Sequence, residues 1–191
     1  MISGGLPGER FDVAVVGRAA DVTAVAAAAA SALAARSASR AALVVGAGDR
    51  HSGAAGPATA PARRLRERVA ARDLQARARG RIVWCAIDAG AVDPSGSAYR
   101  AAAVGAPVVL AVCGPRAAWV ELLLDDAALV LVAGEAADPL TALAVAGLHA
   151  RGLAATSVAA PEGLGAVLAR IGLGGPGTLQ DTLPSLRSAR G

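Results

Sequence analysis

The chain has 191 residues, 54% of them hydrophobic, and a formal charge of +4. That length suits one domain with a substantial core and is short for two. The hydrophobic share excludes a disordered polymer. Lys and Asn are absent, and the aromatics are Phe11, Trp84, Tyr99 and Trp119. Such a skew towards Ala, Gly, Arg and Val reads as GC-rich coding sequence, so the Ala content and basicity carry little by themselves. The charge permits an acidic partner without requiring one. Cys85 and Cys113 each lie in an apolar run, which predicts two buried thiols in a reducing cytoplasm and no disulfide framework. His51 and His149 stand in unrelated contexts, so no metal-ligand spacing exists. MISGGLPGER lacks the charged-then-apolar ramp of a secretion signal. The apolar run over 101–110 is too short to span a membrane, and Arg116, Glu121, Asp125 and Asp126 interrupt the next apolar stretch. The expectation is a soluble cytoplasmic protein.

In chain order, the first ten residues are expected to be flexible. Phe11 and Asp12 lead into Val13–Val16, a continuous apolar run typical of a strand covered on both faces of a parallel sheet. Gly17 ends it. Asp21 is the expected helix N-cap, and Val22, Val25, Ala29 and Leu33 recur at helical spacing. A working phosphate loop needs several glycines, a Lys for the terminal phosphates and a Ser/Thr for magnesium. This turn has Gly17, Arg18, Ala19 and Ala20, with Thr23 the nearest hydroxyl. Arg18 is either a solvated strand-end charge or an anion contact.

Ala41–Val45 is a second strand, closing in Gly46–Asp49. VVGAG resembles a dinucleotide fingerprint, but a polar loop over 49–61 comes after it instead of a helix. His51 and Ser52 lie in that loop, and adjacency alone makes no catalytic pair. No G-x-S-x-G elbow occurs. Pro61 to Arg72 predicts a basic helix with Leu65 and Val69 inward and Arg63, Arg64, Arg66 and Arg68 outward. No aromatics interleave with these arginines, so base stacking and a nucleic-acid partner are unsupported.

From Leu74 the period changes to alternation. This predicts an extended lead-in, with Gly80 as a bend, running into a strand at Ile82–Ile87. Asp88 comes directly after that strand. A short helix from Asp93 to Ala103 precedes a central strand at Pro107–Val112, and Arg116 lies just beyond it. A short helix with Trp119, Leu122 and Leu123 leads to a fifth strand at Ala128–Ala133, ended by Gly134-Glu135. Asp138-Pro139 starts a helix whose Leu140, Leu143 and Leu148 are expected inward, with Arg151-Gly152 as its end. Ala154–Ala159 reads as a weak sixth, edge strand and Pro161–Ile171 as a helix. Residues 1–173 thus form one α/β domain; 174–191 are a Gly/Pro linker and a short terminal helix.

The alternation implies a three-layer, open, mostly parallel sheet of about six strands with helices on both faces, Rossmann-like or P-loop-like. From Phe11 to Leu148 the chain resembles the MinD/ParA family of P-loop ATPases, and within it the CpaE-like proteins of Tad/Flp pilus and secretion neighbourhoods. VAVVGRAADVTAVAAAAASALA looks like the family's first strand, deviant loop and helix, and Thr23 falls near its magnesium-ligating hydroxyl. AALVVGAGD, ending in Asp49, looks like its next strand. IVWCAIDAG is similar to its Walker B strand, with Asp88 at the magnesium-water position. ALVLVAGEAADPLTALAVAGL looks like its late strand and helix. Both family lysines and the glycine pattern of the loop are missing. The resemblance therefore implies a pseudo-ATPase that holds no cofactor and acts by protein contacts, in pilus assembly, secretion or cell division. The rival expectation is a nucleotide- or anion-binding protein using the rim beyond the strand ends: Gly17, Arg18, Thr23, Asp49, Asp88, Arg116 and Glu135.

Overall fold

The computed structural model describes residues 11–47, 56–87, 99, 102–113 and 118–170. They build one sheet of seven strands: β1 (Val13–Gly17), β2 (Ala42–Ala47), β3 (Ala76–Arg79), β4 (Ile82–Ala86), β5 (Val108–Cys113), β6 (Val130–Ala133) and β7 (Ala155–Val158). The order is β3-β4-β2-β5-β1-β6-β7, and every pairing is parallel except β3 with β4. The described helices are α1 (Ala19–Arg36), α2 (Ala60–Ala70), α3 (Ala118–Asp125), α4 (Pro139–Ala150) and α5 (Leu164–Arg170). This is the expected α/β architecture with one strand more.

The extra strand comes from the alternating segment after Leu74. It does not run on into Ile82 but reverses at Gly80-Arg81, where Gly80 takes φ 55. The result is an antiparallel edge hairpin, with Arg79 opposite Ile82 and Arg77 opposite Trp84. The segment just before α2 crosses over this edge. Thr59 N–H donates to the Gly80 carbonyl and Gly80 N–H to the Pro57 carbonyl, both at 2.8 Å. A bridged and charged edge is poor at pairing with another strand.

The central strands β2 and β5 are buried at every position, because helices cover both faces. One half of the core joins Ala14, Val16, Leu43, Val45 and Leu110 to Leu65 and Val69 of α2, Leu123 and Leu124 of α3 and Leu148 of α4. The other joins Val13, Val15, Val44 and Leu131 to α1 and to Leu164 and Leu168 of α5. Successive strand residues thus feed opposite layers. The stripe expected on α1 is buried as Val22, Val25, Ala26, Ala29, Ala30 and Leu33. By length and composition α1 is also apolar enough to cross a membrane; here that apolar face lies on the sheet.

Two local expectations are corrected. Asp21 does not cap α1, which begins two residues earlier at Ala19 with Arg18 at the N-cap position and no side-chain cap. Ala19 and Ala20 are strong helix formers, so the helix extends back to the strand end. Leu140 and Leu143 do not face inward: they are 66% and 69% exposed, while Leu148 is buried. By contrast, Asp138 caps α4 as expected, accepting from Thr141 N–H at 3.0 Å. Gly152 closes it at φ 80. Leu65 and Val69 are buried while Arg63, Arg64, Arg66 and Arg68 are exposed, also as expected. Both cysteines are buried, and burial pushes each thiol up to about 11. The segment expected to be a linker, 174–191, lies outside the described residues.

Candidate functional site

Chain direction determines where this sheet opens. From β1 the chain crosses β5 to β2 through α1, on one face. From β6 it moves the other way to β7 through α4, on the opposite face. Right-handed connections running in opposite directions must lie on opposite faces. The carboxyl ends of β1 and β6 are therefore the place where neighbouring connections part, and open α/β sheets bind ligands in such a crevice.

A cleft of about 500 Å³ opens there. Gly17, Arg18 and Asp21 line it from the β1–α1 corner; Gly134, Glu135, Asp138 and Thr141 line it from the β6–α4 corner. Gly17 is paired with Ala133 across the two strands. It has φ 147, and a Cβ there would lie 3.0 Å from the Ala133 carbonyl oxygen. Opposite, a Cβ on Gly134 would collide with Thr141 Oγ1. Gly17 thus leaves room for the neighbouring strand, and Gly134 for the Thr141 side chain.

Thr141 is the buried polar side chain among the described residues. Its hydroxyl donates to Asp138 Oδ2 at 2.8 Å, beside the N–H bond to the same oxygen. The hydroxyl, the backbone N–H and then the Arg18 guanidinium hold the Asp138 carboxyl below the usual carboxylate range. Asp138 is thus ionised at neutral pH. The cleft carries three carboxylates, Asp21, Glu135 and Asp138, against the single guanidinium of Arg18. That lining is electronegative, and the described part of it does not fit a magnesium triphosphate.

Of the residues expected to form a rim, the structure brings Gly17, Arg18 and Glu135 together. It leaves Thr23 out of the cleft lining: its hydroxyl donates back to the Ala19 carbonyl at 2.9 Å, within the first turns of α1. Asp49, Asp88 and Arg116 lie outside the described residues, as do His51 and Ser52. The sequence reading missed Asp21 and Asp138 as site residues, treating both only as helix caps. Their common cleft depends on β1 lying beside β6, and no local pattern carries that adjacency. Among the described residues no three of His, Cys, Asp and Glu are placed to hold a metal ion.

No protein-family model, no curated protein and no solved structure matches this chain.

Proposed function

We propose that the chain is a non-catalytic relative of the MinD/ParA ATPases, of the CpaE-like kind, working as a cytoplasmic scaffold or regulator through protein contacts in pilus assembly, secretion or cell division. The observation that carries this reading is the charge of the cleft at the β1–α1 corner. Where an ATPase of this kind gathers cations and N–H donors around phosphates, this chain sets Arg18 among three carboxylates. A polyphosphate approaching that corner meets net repulsion. The exposed leucines of α4 support the second half of the reading, because large apolar side chains left in water mark contact surfaces when they cluster.

Melting the protein with ATP, ADP, GTP, NAD or FAD, each with magnesium, tests it. The midpoint is expected to stay unchanged. A ligand present at 100 times its dissociation constant adds about 2.7 kcal/mol of stability, a shift of several degrees for a domain of this size. The second reading, an anion or nucleotide site, rests on Arg18 facing the crevice. A nucleotide-dependent rise that Arg18→Ala abolishes would establish that reading and overturn the first.

A further inference from the structure

We propose that copies of this chain associate head to tail, the apolar face of α4 in one copy seating on the cleft beside α2 in the next. This deepens the scaffold reading, on which it rests, by naming one partner. It starts from the exposed large hydrophobics among the described residues, Val104, Leu140 and Leu143. Two of them stand on α4, a helix without an Asp, Glu, Lys or Arg between Pro139 and Ala150. There Leu140, Leu143, Ala144 and Gly147, together with Arg151, line a groove of about 410 Å³. The third, Val104, 64% exposed, lines a cleft of about 750 Å³ with Pro61, Arg64, Glu67, Arg68 and Ala71. An apolar ridge and a partly apolar cleft on different parts of one molecule are the two halves of a heterologous contact.

Charge selects the pairing. Residues 60–81, which form α2 and the β3 edge, hold eight arginines and two carboxylates, a net +6. All eight arginines are exposed. Residues 118–170, at the β6–β7 end, hold six carboxylates and two arginines, a net −4. One of those arginines, Arg151, is already engaged by Glu121 and Asp125. The two segments lie towards opposite edges of the sheet. A two-fold pairing of α4 with α4 brings two acidic ends together, and α2 with α2 brings two basic ends together. Head-to-tail stacking sets the basic end of one copy against the acidic end of the next and covers Val104, Leu140 and Leu143 at once.

Sedimentation velocity on the full chain tests this. At low ionic strength the weight-average mass is expected to rise with concentration beyond twice the monomer, and to return to the monomer at about 1 M salt, where screening acts within about 3 Å. Leu143→Asp blocks one face; Arg64→Glu with Val104→Asp blocks the other. Each variant alone is expected to be monomeric, and an equimolar mixture is expected to form a one-to-one dimer that grows no further. A wild-type chain that stays monomeric at low salt overturns the proposal. So does one that stops at a dimer, or a mixture of folded variants (unchanged circular dichroism) that does not pair. If a variant fails to fold, the wild-type salt and concentration series still decides. A monomer with nucleotide-insensitive melting removes the self-association alone; nucleotide binding removes the scaffold reading, whatever the mass series shows.

Discussion

Asp12 and Asp138 show how much a carboxylate's surroundings decide. Asp12 lies at the entry to β1, where its Oδ2 accepts from Val108 N–H at 2.8 Å and ties β1 to β5. Burial is the larger influence and raises its pKa despite that bond. A carboxyl raised by folding favours the folded state when protonated. Its charge therefore costs stability increasingly as pH rises beyond the ordinary carboxylate range. Asp138 is lowered, so its contribution is present at neutral pH and is lost only as pH falls through its depressed value. Asp12→Asn keeps an acceptor for Val108 and removes the charge. Relative to wild type, its stability in urea is expected to improve as pH rises above about 4. Gly134→Ala places a Cβ against Thr141 Oγ1 and is expected to lower unfolding free energy by about 1–3 kcal/mol in the same urea titration. The Asp138 cap was legible because aspartate before proline is a local signal. The Asp21 cap was misread because Ala19 and Ala20, as strong helix formers, carry the helix back past Asp21 to the strand end.

Among the helices, α2 was legible and α4 only half so, for one physical reason. In α2, arginines separate Leu65 from Val69, so the inward face is marked by contrast. In α4, leucine, alanine and valine occur all round the helix, and periodicity gives no direction. Position over β6 and β7 then decides that Leu148 is buried and Leu143 is not. In high salt, Leu143→Gln is expected to change monomer stability by less than about 0.5 kcal/mol, while Leu148→Ala costs about 2–5 kcal/mol. Equal losses in chemical denaturation would contradict the orientation of α4. The β3 hairpin was missed because alternation announces an extended chain without saying whether it continues or reverses. Gly80 held the answer, since φ 55 suits a turn between antiparallel strands.

At the scale of the molecule, strand order makes the site. β1 and β6 are separated by more than a hundred residues, yet their carboxyl ends form the two walls of one cleft. Its electronegative lining sums Asp21 from one corner with Glu135 and Asp138 from the other. Nucleotide-insensitive melting is a prediction at this scale, because Arg18 and Asp21 cancel at the β1–α1 corner and only strand order brings the two carboxylates of the β6–α4 corner, Glu135 and Asp138, beside it. The same order sends the arginines of 60–81 to one edge and the carboxylates of 118–170 towards the other. A modest formal charge of +4 thereby becomes a polar molecule, whose association should depend on salt.

By itself the sequence determined the class of fold, the buried strands, the inward face of the basic helix and the cap of α4. Each of these is written in neighbouring residues, through apolar runs, helical spacing or a capping pair. Only the tertiary structure decided that the alternating segment turns back as an edge strand, that Leu140 and Leu143 stay in water and that Asp21 meets Glu135 and Asp138 beside Arg18. Those outcomes depend on which strands become neighbours, and strand adjacency is set by packing between segments far apart in the chain.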